Sequence, residues 1–145
     1  MATMLDLLAR KGMQVFSVAP DNSVREAAVA MNQHGVGGLV VVDDAERLVG
    51  VCTERDVLRR VVAEGRDPSL TPVKHVMTRD VTTIRPEQSV DAAREIFATK
   101  RIRHLPVVDE TGRLLGMISI GDVNAWMLDG QALELHYLHE YIATA

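Results

Sequence analysis

Apolar residues along the chain follow two rhythms, and each switch between them marks an element. Val24, Ala27, Ala28 and Met31 recur at helical spacing. Ser23 stands before them as an N-cap, and Glu26 three residues later completes a capping-box signature. Two runs rich in β-branched residues follow, Leu39 to Val42 and Leu48 to Cys52, with the polar stretch Asp43-Asp44-Ala45-Glu46-Arg47 between them. That arrangement predicts a β-hairpin. Val57, Leu58, Val61 and Val62 then return to helical spacing and stop before Gly65. Upstream of the first helix, Val15-Phe16-Ser17-Val18 reads as a short extended piece. Pro20 ends it, because proline disfavours helix in the residue before it.

The same order returns further along. Val81-Thr82-Thr83-Ile84 leads to Pro86, and Ser89, Val90, Ala93 and Phe97 repeat the cap and most of the stripe, without the box. Leu105 to Val108 and Leu114 to Ile118 repeat the hairpin around Asp109-Glu110-Thr111-Gly112-Arg113. An offset of 66 residues carries Pro20 onto Pro86 and holds without a gap from Val15/Val81 to Val57/Val123. About a third of the aligned pairs are identical, where unrelated chains of average composition would give about one in twenty. Each copy is therefore β-α-β-β-α. A three-stranded sheet with helices on one face leaves its other face to be covered, and a second copy can cover it. The expected fold class is α/β of the α+β type, with two such repeats as a pseudo-twofold pair plus terminal helices. The expected divisions are a helical segment at 1–14, the first repeat at 15–65, a linker and lead-in at 66–80, the second repeat at 81–129 and a C-terminal helix at 130–145. Gly65 to Pro72 is rich in breakers and suits the linker.

Composition narrows the function classes. At 145 residues, 47% apolar and 25% charged, the chain can bury a real core and is not disordered. No segment approaches the roughly 18 unbroken apolar residues of a membrane span. The N-terminal apolar run has no basic stretch before it, so a cytoplasmic location is expected. A net charge of −4 argues against a nucleic-acid partner, and 3% aromatics leave few stacking platforms. The lone Cys52 excludes an internal disulfide and a thiolate zinc site, and its apolar strand suits a buried, inert thiol. His136 and His139, beside Glu140, read as incidental histidines on a surface helix, so no metal is expected. Neither a nucleophile elbow nor a glycine-rich phosphate loop is present, and no catalytic residue is expected. Met4, Leu5, Leu7 and Leu8, with Trp126, Met127, Leu133, Leu135, Tyr137, Leu138, Tyr141 and Ile142, are too apolar for free tails. They suit packing on the core or on another subunit.

Two motifs carry candidate chemistry. Thr53-Glu54-Arg55-Asp56 and Ser119-Ile120-Gly121-Asp122 each follow a strand and open a helix, a position that fits a capping box. The second copy also gathers Lys100, Arg101, Arg103 and His104 where the first has His34, Gly35, Gly37 and Gly38. On their own these cations fit a solvated helix end favourable to the dipole.

Taken together, the ordered motifs resemble the CBS-domain pair, often called a Bateman module, of the stand-alone bacterial type. They are Pro20-Asp21-Asn22-Ser23-Val24 with Pro86-Glu87-Gln88-Ser89-Val90, His104-Leu105-Pro106-Val107-Val108-Asp109, the spans Gly50 to Asp56 and Gly116 to Asp122, and Met77-Thr78. The resemblance implies a regulatory, signal-transducing module that binds an adenine nucleotide (AMP, ADP, ATP or NAD) in clefts between the repeats. It implies ribose hydroxyls on Asp56 and Asp122, whose ionised carboxylates accept a vicinal diol, with Thr53 and Ser119 facing sugar or phosphate. It places adenine against Ser17-Val18 or Thr83-Ile84 and against the strands near Gly38 or Ile102, with Pro106 in the same wall. Arg103 and His104, and Arg55 from the opposite repeat, become candidate phosphate donors. The resemblance also implies a homodimer and a separate regulated protein. A dimeric interaction scaffold with degenerate sites is the alternative.

Overall fold

The computed structural model describes residues 1–130. Its first helix, Met4–Lys11 (α1), buries Met4, Leu7 and Leu8 and ends at Gly12, whose φ of 100° is open to glycine. Ser17–Val18 (β1) follows, then Val24–His34 (α2). Ser23 Oγ accepts the Glu26 amide at 3.1 Å, as an N-cap does. The reciprocal half of the expected box is not made there: the Glu26 carboxylate accepts from Asn22 Nδ2 at 2.6 Å instead. Gly38–Val42 (β2) and Leu48–Thr53 (β3) form the predicted antiparallel hairpin, and β1 lies parallel on the outer side of β2. Glu54–Val57 (α3) then runs into a π-helical turn at Leu58–Val62. Val61 is fully buried there, but Leu58 and Val62 are 62% and 63% exposed, so only part of the predicted apolar stripe packs.

The second repeat has Val90–Lys100 (α4), the hairpin His104–Val108 (β4) with Leu114–Ser119 (β5), and a helix over 120–130 (α5). Its expected third strand shrinks to one bridge, Ile84 with Val107. The cause is Pro106. In the first repeat the Val40 amide donates to Phe16 O at 3.3 Å. Pro106 occupies the matching position and has no N–H, so the ladder towards Thr82 cannot continue. The expected helix over 130–145, with Leu133, Leu135, His136, Tyr137, Leu138, His139, Glu140, Tyr141 and Ile142, lies outside the described residues.

The pseudo-twofold axis runs through the two hairpin turns. Leu48 N donates to Gly112 O and Leu114 N to Glu46 O, each at 3.2 Å, around a bridge between Arg47 and Arg113. These residues are one another's equivalents in the repeat, so the bonds form a symmetric pair. The Arg113 guanidinium also pairs with the Glu46 carboxylate across the axis.

Each repeat is completed by the segment that precedes the other. Residues 71–78 dock on the first repeat: Val24 N donates to Thr71 O, Val73 N to Asn22 O and Lys74 N to Pro20 O, at 2.8 to 3.0 Å. Residues 2–8 dock on the second in the same pattern: Val90 N donates to Ala2 O, Met4 N to Gln88 O and Leu5 N to Pro86 O. Val73 and Met77 therefore join Ala27, Met31, Leu39, Val41 and Cys52 in one core cluster. Met4, Leu7 and Leu8 join Ile84, Phe97, Leu105 and Ile118 in the other. Gly50 and Gly116 mark the contact points. A Cβ on Gly50 would lie 2.6 Å from Met77 Sδ, and one on Gly116 would lie 2.6 Å from Leu8 Cδ2. The lead-in part of the 66–80 stretch thus contributes core as well as connection.

Candidate ligand cleft between the repeats

Between the repeats lies a cleft of about 650 Å³. Its wall is built from matched pairs: Val15 with Val81, Phe16 with Thr82, Val36 with Ile102, Gly38 with His104, Val40 with Pro106 and Thr53 with Ser119. The volume is that of a small-molecule site, largely apolar with a few convergent polar groups. Of the residues singled out from sequence, Gly38, Thr53, Ile102, Arg103, His104, Pro106 and Ser119 line it. Ser17, Val18, Arg55, Asp56, Thr83, Ile84 and Asp122 do not. Strand geometry explains part of the difference. Ile84 is turned into the core at 1% exposure and Val18 packs on the first repeat's cluster, so Val15, Phe16, Val81 and Thr82 form the wall instead. Phe16 belongs to the extended piece read from sequence, but nothing in the sequence distinguishes it from Ser17 as the wall residue. Its ring stacks on His34, with centroids 3.7 Å apart and planes within 10°.

Both aspartates make the capping boxes that their spacing suggests, and the two boxes are occupied differently. Asp56 N donates to Thr53 Oγ1 at 3.2 Å, while Thr53 N and Oγ1 donate back to Asp56 Oδ2 at 3.0 and 3.1 Å. Thr78, from the docked lead-in, donates its hydroxyl to Asp56 Oδ1 at 3.1 Å. Asp56 is 7% exposed, with its lone pairs turned to these partners. In the second repeat Asp122 N donates to Ser119 Oγ at 3.1 Å and Ser119 N donates to Asp122 Oδ2 at 2.8 Å. Here the lead-in supplies a cation. Lys11 Nζ lies 2.6 Å from Asp122 Oδ2 and 2.7 Å from Met117 O.

The electrostatics follow from these contacts. Burial alone would raise the Asp122 carboxyl, but the hydrogen bond and charge of Lys11, with the bonds from Ser119, hold it below the usual carboxylate range. His104 is lowered, first by burial and then by the Lys11 and Arg103 charges, which together outweigh Asp122. At neutral pH it is an uncharged donor and acceptor. Cys52 is pushed up to about 11 by burial and by the Asp56 charge, so its thiol stays protonated. Two wall residues beyond the predicted set carry charge of opposite sign, Lys11 and Asp80. They sit at matching places in the two lead-ins. Among the described residues no group of three His, Cys, Asp or Glu side chains is arranged to hold a metal. Among them, too, no helix is long and apolar enough to cross a membrane.

Comparison with known proteins agrees with this architecture. The chain is 40% identical over 126 residues to the CBS domain-containing protein CBSX3, mitochondrial, of Arabidopsis thaliana, covering 84% of this chain and 61% of that one. It superposes on the CBS-domain containing protein ATU1752 of Agrobacterium tumefaciens with a TM-score of 0.75 and 38% identity, over 86% of this chain and 98% of the other. The CBS domain protein PAE2072 of Pyrobaculum aerophilum, solved complexed with AMP, superposes with a TM-score of 0.72 and 30% identity, over 83% and 88% of the two chains. The CBS domain model matches twice, at residues 6–63 and 73–129. Both matches begin within a lead-in segment, and together they span most of a chain whose two halves close on each other about a pseudo-twofold axis, so the protein belongs to the CBS domain family as a tandem pair.

Proposed function

We propose that the protein is a regulatory module whose inter-repeat cleft binds an adenosine-containing nucleotide (AMP, ADP, ATP or NAD) and passes its occupancy to a separate partner protein. The observation that carries this reading is the cleft itself: about 650 Å³ on the pseudo-twofold axis, with a hydroxyl residue of each repeat on its wall and an aspartate behind it. The AMP bound to the relative from Pyrobaculum aerophilum supports the ligand class. Arg103, His104 and Lys11 gather cationic and donor groups on the second repeat's side, where a phosphate would be met. Regulation then follows if the ligand binds one arrangement of the repeats more tightly than another.

A scaffold with degenerate sites is the competing reading. Its supporting observation is that Thr53 and Thr78 already occupy the Asp56 carboxylate. Thermal-shift and calorimetric titrations with AMP, ADP, ATP, NAD and S-adenosylmethionine decide between the two. Binding should stabilise the fold by about 2.7 kcal/mol at a hundredfold excess over Kd. Asp122→Ala should remove most of that shift and Asp56→Ala less of it. Absence of any shift, in protein free of co-purified nucleotide, would leave the scaffold.

A further inference from the structure

We infer that Lys11 is a built-in occupant of the second repeat's half of the cleft, displaced from Asp122 by an incoming nucleotide and then redeployed onto its phosphate. The inference rests on the nucleotide reading above and specifies how that site selects its ligand.

The geometry makes Lys11 a competitor. Asp122 Oδ2 takes the Ser119 amide at 2.8 Å and the Lys11 ammonium at 2.6 Å, and a ribose diol that engages both oxygens of this carboxylate must contend with the second of these. The backbone that carries Lys11 is fixed. Met4, Leu7 and Leu8 are buried in the second repeat's core, and Gly12 closes the helix one residue later by donating its amide to Leu8 O at 2.7 Å. Only the flexible four-carbon stem is free to swing, with a third of the side chain exposed. Lys11 also stands on two hollows at once. It lines the main cleft and a smaller one of about 220 Å³ between α1 and α5, lined by Leu7, Arg10, Asp122, Ala125 and Trp126. Lifting off Asp122 therefore keeps the ammonium at the wall that carries Arg103 and His104.

The consequence is selectivity for phosphate. A neutral nucleoside that takes Asp122 breaks a charge-assisted bond and returns nothing to the ammonium. A nucleotide breaks the same bond and gives it a new anionic partner. The first repeat is arranged differently: its nearest cation, Arg60, donates to Val76 O and Met77 O and stands 4.0 Å from Asp56 Oδ1. A neutral hydroxyl, Thr78, holds Asp56 at 3.1 Å, and the place matching Lys11 is taken by Asp80.

Calorimetric titration of adenosine and of AMP into the wild type, Lys11→Met and Lys11→Arg tests this, with Asp122→Ala to identify the site. Lys11→Met should tighten adenosine several-fold and weaken AMP about tenfold, the scale of one charge-assisted hydrogen bond. Lys11→Arg should preserve the wild-type preference for AMP. Opposite signs for the two ligands are the signature, since a merely structural role would move both the same way. If AMP binds through Asp122 and the AMP-to-adenosine ratio is unchanged in Lys11→Met, the inference fails and the nucleotide reading stands. If neither compound binds any of the proteins, both fail. Should Lys11→Met lose its cooperative melt, Lys11→Gln provides the same comparison with a polar stem.

Discussion

The two repeats use the same frame to build unlike halves of one cleft. Both present a hydroxyl at the end of a strand, both close a capping box on an aspartate, and both accept a lead-in from elsewhere in the chain. They differ at the lead-ins. The first repeat receives a segment with one 3-10 turn, Val73–His75, that places the Thr78 backbone on Val51, with N to O distances of 2.9 Å in both directions, and its hydroxyl on Asp56. The second receives a helix, whose last turn reaches Met117 O with a lysine side chain where the first repeat uses backbone. Near-identical motifs thus acquire different chemistry from neighbours that the repeat itself does not encode.

The largest expected difference between the repeats lies in the glycines beneath those lead-ins. Gly50→Ala should destabilise by about 1–3 kcal/mol, measured by urea unfolding, and should cost more than Gly116→Ala. Its Cβ would lie 2.9 Å from the Thr78 carbonyl as well as 2.6 Å from Met77 Sδ, and backbone cannot step aside. At Gly116 the contacts are only to the Leu8 side chain. Equal costs would mean that the α1 lead-in is held as rigidly as the one at residues 71–78.

A smaller effect separates the helix ends. Gly35 closes α2 at φ 64° and Arg101 closes α4 at φ 55°, both left-handed, where a side chain is strained. Arg101→Gly should raise stability by about 0.5–1 kcal/mol and Gly35→Ala should lower it by a similar amount. Thermal melts in parallel would show the opposite signs.

The smallest effect is a pH slope just below neutrality carried by His104, which has no counterpart in the first repeat. The folded-state pKa of His104 lies below its ordinary value of 6.5, so the unfolded chain takes up this proton first as pH falls. Stability should hold above pH 6.5 and decline below it until the folded form also protonates. His104→Gln should flatten that part of the profile, since Gly38 fills the matching place in the first repeat and cannot titrate. A slope unchanged by the substitution would assign the proton uptake to another group.

Much of this architecture is legible in the sequence because it is local or repeated. Ser23 and Ser89 cap helices, the hairpin turns fall between β-branched runs, and the ungapped offset discloses the pair. The exchange of lead-ins is hidden by arithmetic. Ala2, Met4 and Leu8 match Thr71, Val73 and Met77 at a separation of 69 residues, three more than the repeat offset, so the alignment breaks where they begin. Met4, Leu7 and Leu8 also carry the same apolar spacing as any short amphipathic helix, which says nothing about what they cover. Lys11 was illegible for the same reason, as its partner is 111 residues away. At Pro106 the missing N–H follows from residue type alone, but that its loss shortens the strand through Thr82 emerges only from the sheet order.

The crossed lead-ins also set a timetable for folding during synthesis. The first repeat to leave the ribosome cannot cover Gly50 until Val73 and Met77 have followed it. The helix α1, carrying Met4, Leu7 and Leu8, waits longer still, because its core partners extend from Ile84 to Val123. Its apolar face must stay solvated or be held by a chaperone until the second repeat has been translated. Once both exchanges are complete, neither repeat can open without uncovering the other, and the pair should unfold as a single cooperative unit.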